Sequence, residues 1–229
     1  MAMRLGALFS GGKDSCLAMH MAAGAGDEVA CLVTLLSENP ESYMFHTPNI
    51  HLTRLQAEAL GIPRVARSTK GEKEAELDDL RAAIEEAAAA HHIEGVLTGA
   101  VASAYQQGRV QRVCDGLGLR CLSPLWQRDQ LSILHDLLRL RFEVIVSGVF
   151  APPLDEGWLG RRLDAAMVGE LARLQQRWGI NPAGEGGELE TTVLWAPMFR
   201  RRLVIDSSAK AVGPTWAVLR VERAHLEAP

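Results

Sequence analysis

Two short runs in this 229-residue chain combine residue types that do chemistry better than they build a core. The first is Ser10-Gly11-Gly12-Lys13-Asp14-Ser15. Its glycines let backbone N–H groups approach an anion closely, Ser10 and Ser15 add hydroxyl donors, and Lys13 supplies a mobile full charge. An apolar segment precedes the run and a helical pattern follows it, so the positive end of a helix dipole points at the same spot. Together these make a phosphate cradle at a strand-to-helix turn. The pattern is not a Walker A loop. Ala7 stands where that loop needs its first glycine, and Asp14 follows the lysine in place of Ser or Thr.

The second run is Gly184-Glu185-Gly186-Gly187-Glu188-Leu189-Glu190-Thr191, with three carboxylates and three glycines in eight residues. Carboxylates at this density bind a cationic substrate, hold Mg²⁺ or orient an amine. On composition alone a flexible acidic loop is the alternative.

The elements that must position these runs follow from periodicity. Residues 4–9, 29–36, 63–67 and 95–98 read as strands, with a short extended piece at 120–123 and a fifth clear strand at 142–149. Residues 15–24, 49–60, 72–92, 103–117 and 129–140 read as helices, the last with Asp129 as its N-cap. Strands alternating with helices predict an α/β fold with a doubly wound, mainly parallel sheet. Ligands of such sheets sit at the carboxyl ends of the strands. The cradle, the 37–48 loop and the segment after Thr98 all lie at such ends. Ala151-Pro152-Pro153 breaks the pattern, so the expected division is a nucleotide-binding domain over 1–150 and a smaller α+β lobe over 151–229. That lobe reads as a helix at 163–178, a glycine-rich stretch at 179–187 and short strands at 203–205 and 216–221.

A net charge of −4 gives no electrostatic grip on nucleic acid, and Arg200-Arg201-Arg202 reads as a solvated strand edge. The four cysteines, Cys16, Cys31, Cys114 and Cys121, show no C-x-x-C spacing. Reduced, mostly buried thiols of a cytoplasmic protein are expected, without zinc or disulfides. Cys16 reads as a small residue packing the first turn after the cradle. No apolar stretch has the length of a membrane span or a signal peptide.

The cradle's S-G-G-x-D-S spacing resembles the PP-loop of ATP pyrophosphatases, which split ATP between the α and β phosphates. Two further stretches narrow the likeness: Ser37-Glu38-Asn39-Pro40-Glu41-Ser42-Tyr43-Met44-Phe45-His46-Thr47 and the G-E-G-G-E-x-E-T run, which with the cradle resemble the diphthine–ammonia ligases. The resemblance continues through Leu55-Gln56-Ala57-Glu58-Ala59-Leu60-Gly61, Tyr105-Gln106, Arg109-Val110 and Pro124-Leu125-Trp126, and so covers nearly the whole chain. Gln111 stands where that family carries a glutamate.

The resemblance implies an adenine nucleotide α-hydrolase-like fold and an ATP-dependent ligase forming an amide. ATP adenylates the carboxylate of diphthine on elongation factor 2, and ammonia then displaces AMP. No glutaminase domain is visible, so free ammonium is the expected nitrogen source. ATP contacts fall on Ser10, Gly11, Gly12, Lys13, Asp14 and Ser15, adenine on Val33, Thr34 and Leu35, and ribose or α-phosphate on Gly99. Mg²⁺ accompanies ATP, with no ligand assigned; Asp14 reads first as a residue that holds the loop. The acceptor falls to Tyr43, His46, Tyr105, Gly184, Glu185, Gly186, Gly187, Glu188, Glu190 and Thr191. Catalysis is assigned to Lys13, Ser15 and Glu188. No membrane or nucleic-acid partner is implied, and the apolar second lobe suits a homodimer. The alternatives are another adenylating PP-loop enzyme, one that modifies tRNA, and a non-catalytic ATP-binding regulator.

Overall fold

The computed structural model describes residues 2–39, 48–72 and 75–228. Tyr43 and His46 lie outside the described residues.

The first half alternates β1 (Arg4–Leu8), α1 (Lys13–Gly24), β2 (Glu28–Ser37), α2 (Thr53–Leu60), β3 (Arg64–Thr69), α3 (Ala75–His91), β4 (Gly95–Leu97), α4 (Ala104–Leu117) and β5 (Arg120–Leu122). All five strands pair in parallel, in the order β3-β2-β1-β4-β5. Parallel pairs need crossover helices, which cover both faces and demand apolar residues on both sides of each strand. β2 meets that demand, with residues 30–35 all buried. Leu32 packs with Leu17 and Met19 of α1 on one face. Cys31, Val33 and Leu35 pack with Leu80 and Ile84 of α3 and Val110 of α4 on the other. The strand order reverses between β1 and β4, so the loops leaving these two strands diverge and open a crevice.

The second half contains α5 (Gln130–Arg139), β6 (Glu143–Val149), α6 (Ala165–Trp178), β7 (Leu189–Trp195), β8 (Arg202–Val212) and β9 (Ala217–Glu227). The strands form an antiparallel sheet in the order β7-β6-β9-β8. Side-chain caps set the helix starts: Asp129 accepts from Ser132 N, and Asp164 accepts from Met167 N. Each such cap is worth about 1 kcal/mol.

This topology corrects one expectation. The strand read at 142–149 does not complete the first sheet; β5 holds that edge, and β6 pairs with β7 and β9. The change of sheet therefore falls between β5 and β6, ahead of residue 150. An apolar run such as 143–149 looks the same whether its neighbours run parallel or antiparallel, so pattern alone does not assign its sheet. β7 emerges directly from the acidic run, and β8 and β9 extend well past the short strands expected there.

The two sheets share one core. Leu5, Phe9 and Leu17 belong to the same buried cluster as Val144, Leu189, Val193 and Leu203. The basic run is not a bare edge either. Arg201 pairs with Glu58 at 2.6 Å and Arg202 with Glu143 at 2.7 Å, and the Arg200 guanidinium lies against Gly61.

Candidate active site

A cleft of about 570 Å³ opens at the crevice between β1 and β4. The cradle forms its floor, Thr98 and Gly99 at the end of β4 one side, and the start of β7 with the preceding acidic loop the facing wall. Sequence-distant runs are thus brought together: Ser10, Gly12, Lys13, Asp14 and Ser15 face Gly184, Glu185, Gly186, Gly187, Glu190 and Thr191 across one space.

The cradle's own contacts are few and loose. α1 starts at Lys13 behind an N-cap glycine, Gly12, which has no side chain of its own to offer the helix's first N–H groups. The hydroxyls of Ser10 and Ser15 lie 3.4 Å apart, and Ser15 also donates to Gly12 O at 3.1 Å. These are loose contacts that a phosphate oxygen would readily replace. Gly99 packs directly on the first turn of α1; a Cβ there would meet Asp14 C and Ser15 N at 2.7 Å. Only glycine at the end of β4 lets the helix start this close.

β7 clips the cradle from the other sheet. Val193 N donates to Gly11 O at 3.0 Å, and Lys13 N donates to Thr191 Oγ1 at 3.2 Å. Gln56 completes the clip. This buried side chain of α2 donates from Nε2 to both Gly11 O, at 3.0 Å, and Val193 O, at 2.8 Å. Gly11 has φ of +77°, and a Cβ there would run into the Gln56 amide. Gln56 was given no role from sequence. Its signal was a polar residue amid the apolar positions of a short helix, a pattern that also fits an exposed glutamine. A Gln56→Leu chain should unfold with about 1–3 kcal/mol less stability, because the buried amide bridge between Gly11 O and Val193 O is lost. Denaturant unfolding together with ATP titration checks this, and the KM for ATP should rise several-fold.

Lys13 is not the mobile charge expected from sequence. Its side chain is buried, and Nζ donates to Asp14 Oδ2 at 2.7 Å and to Ala183 O. The lysine therefore ties the cradle to the acidic loop while its charge still borders the cleft. Asp14 Oδ1 is buried without a hydrogen-bond partner.

The acidic wall divides its labour differently from the sequence reading. Glu188 does not line the cleft. Its Oε1 accepts from Asn181 N and Nδ2, at 3.1 and 2.8 Å, and its Oε2 accepts from Gly186 N at 2.9 Å. Glu188 thus braces the glycine turn. Glu185 and Glu190 face the cleft instead. Glu185 accepts from Ala102 N at 2.8 Å, and burial pushes its carboxyl up. Burial pushes Glu190 further, to about 7; the Lys13 charge opposes the rise, and Asp14 and Glu185 reinforce it. The start of β7 makes the division. Leu189, Glu190 and Thr191 open the strand and line the cleft, while Glu188 lies just ahead of it, in the turn it braces.

The raised Glu190 value has a stability consequence. From its ordinary 4.5 up to about 7, the native chain keeps a proton that the unfolded chain gives up. Stability therefore falls as pH rises through that window. A Glu190→Gln chain lacks this loss. It should match the native chain near pH 4.5 and exceed it by about 1–2 kcal/mol at pH 8, the larger nominal value being discounted for partial solvation. Thermal melts across pH 4.5–8 read the difference.

At the end of β2, Val33 and Leu35 line the cleft. Thr34 alternates away from it and donates to Phe9 O at 3.0 Å. Tyr105 also lies off the cleft, its ring covered by the Arg109 guanidinium at 4.1 Å, while Ser103 and Gln106 of the same segment line it. Gln111 donates to Asp115 at 2.7 Å along α4, so the departure from the family's glutamate falls on a helix surface. Cys16 is fully buried, and burial raises its thiol's pKa, in keeping with a packing role.

Comparison with known proteins places this geometry. A model described as the diphthamide synthase N-terminal domain matches residues 3–121, and one described as the diphthamide synthase C-terminal domain matches residues 129–226. The two matches part where the sheets change. Proteins named diphthine–ammonia ligase from Mus musculus and Homo sapiens are 36% and 34% identical, over 98% of this chain and 93% of theirs. The Schizosaccharomyces pombe protein of that name is 35% identical over 89% of this chain and 36% of its own length.

Proposed function

The chain belongs to the diphthine–ammonia ligase family, and from that membership we propose that it converts diphthine on elongation factor 2 to diphthamide, consuming ATP and ammonia and releasing AMP and pyrophosphate. The observation that supports this most is the clip between the two walls of the cleft. Lys13 N bonds Thr191 Oγ1, so the phosphate cradle and the acidic wall are fixed in one geometry. A nucleotide on one wall and an acceptor on the other are then held in register for attack.

In the first step an oxygen of the acceptor carboxylate attacks the α-phosphorus, and the bond to the bridging oxygen of the β-phosphate breaks. Negative charge grows on departing pyrophosphate, over the N terminus of α1 and the hydroxyls of Ser10 and Ser15. Donors already aimed at that charge lower the barrier most. Lys13 holds its ammonium beside the same oxygens. In the second step ammonia attacks the acyl carbon, AMP leaves with the electron pair, and the nitrogen sheds a proton.

Val33 and Leu35 offer an apolar slot for adenine, and Gly99 leaves room beside the α-phosphate. Glu185 and Glu190 face the acceptor, whose trimethylammonium group is a permanent cation. An approaching cation favours the ionised form of Glu190 and is bound by it in return. Glu188 serves by holding the turn that presents them.

Mg²⁺ fits this site as a companion of ATP. Among the described residues no group of three or more His, Cys, Asp or Glu side chains converges to cage a metal, while the unpartnered Asp14 Oδ1 would offer a single carboxylate contact. When bound, the ion neutralises phosphate charge. The reading places the chain in the cytoplasm with its acceptor. Among the described residues no helix is long and apolar enough to cross a membrane.

The test is incubation with ATP, ammonium and diphthine-bearing elongation factor 2. AMP release should depend on the acceptor and match a mass change on it. AMP release that ignores the acceptor, or no AMP at all, would overturn the reading.

A further inference from the structure

A cleft of about 570 Å³ that also holds a nucleotide admits a side chain, not a folded protein. If the acceptor carboxylate sits on a protein, the body of that protein must rest on the rim. The rim on the acceptor side has an unusual neighbour. Leu189 at the start of β7 pairs with Val149, Val149 pairs with Ala217, and Ala217 pairs with Val212. These four residues form one row across the end of the second sheet that borders the cleft. Phe150, next along from Val149, lines the cleft and donates its N–H to Glu188 O at 3.0 Å. The turn joining β8 to β9 therefore lies about three strand spacings, or ~14 Å, from the acceptor wall.

That turn carries exposed apolar side chains. Val212 is 55% exposed and Trp216 39%; with Trp178 they are the exposed large apolar side chains among the described residues. They are also held still. The Trp216 indole lies over Gly213, Gly213 N donates to Trp216 O at 2.8 Å, and Lys210 Nζ donates to Glu156 O at 3.0 Å. A tryptophan on a rigid turn offers a large contact area at small entropic cost, which is the usual make-up of a binding anchor.

We propose that the β8–β9 turn, through Val212 and Trp216, is the docking surface for the folded protein that carries the acceptor. The partner is one that presents its modified side chain on a projecting loop and has an apolar spot beside it. This rests on the amidation reading above. The turn contributes nothing to ATP binding or chemistry. It holds the acceptor protein while one side chain reaches past Phe150 to the cleft.

The test measures steady-state kinetics of the full chain and of Trp216→Ala and Val212→Glu, with intact diphthine-bearing elongation factor 2 and with a short diphthine-bearing peptide. For the intact factor, KM should rise at least about tenfold in Trp216→Ala while kcat and the KM for ATP stay within about twofold. Val212→Glu, at an exposed position that tolerates a polar side chain, should move KM the same way, so a misfolded tryptophan variant does not decide the matter. Peptide kinetics should be unchanged in both. An unchanged KM for the intact factor in both variants overturns the docking surface, as does an equal loss with the peptide. A native dimer that both variants dissociate, seen by sedimentation, would assign the turn to a second copy and overturn it too. Failure of the native chain to amidate either acceptor would instead overturn the amidation reading itself.

Discussion

A Lys13→Ala enzyme should release AMP roughly 10²–10³-fold more slowly than the native chain at saturating ATP, the usual loss when one preorganised charge is removed from a transition state. Two effects combine. The ammonium that borders the pyrophosphate path disappears. The seam between cradle and acidic loop also opens, because Nζ bonds Asp14 Oδ2 and Ala183 O at once. Stability should fall by about 1–3 kcal/mol; this is less than for a fully buried pair, because Asp14 is about a quarter exposed. AMP release beside circular dichroism separates the effects. A folded variant with near-native turnover would remove Lys13 from the chemistry.

Gly99→Ala should be nearly as damaging through a single methyl group. The added Cβ would meet Asp14 C and Ser15 N at 2.7 Å, and both are backbone atoms that cannot swing aside. The start of α1 must move, carrying Asp14 and Ser15 with it. A displacement near 1 Å at reacting groups costs on the order of 10²-fold in rate, and the strain adds about 1–3 kcal/mol of instability. Both kcat and the KM for ATP should worsen, whereas a remote stability defect would leave them intact below the melting transition. Native kinetics in a folded Gly99→Ala chain would mean that the approach of β4 to α1 is not what shapes the cradle.

The cradle was legible because its signals are local: an apolar strand, two adjacent glycines, and a helical pattern directly after them. The first sheet was legible for the same reason, since each crossover repeats the same apolar strand and periodic helix. The acidic wall was legible in composition but not in direction. Whether Glu188 or Glu190 faces the ligand depends on where β7 begins, and the glycines before it hide that start. Starting the strand at Leu189 would have put Glu190 on β7 and left Glu188 in the turn before it. Gln56 was hidden because its partners, Gly11 and Val193, are 45 and 137 residues away. β6 was misassigned because its apolar run satisfies either sheet. β8 and β9 were cut short because their exposed halves, such as 206–211, carry no core signal.

The central claim is that the acceptor's carboxylate itself attacks the α-phosphorus, and ¹⁸O in that carboxylate tests it most directly. Elongation factor 2 bearing carboxyl-labelled diphthine is incubated with ATP, ammonium and the protein, and the products are analysed by mass spectrometry. One ¹⁸O per turnover should appear in AMP, with pyrophosphate unlabelled. Label in inorganic phosphate or pyrophosphate, or AMP free of ¹⁸O while the amide forms, would contradict the account.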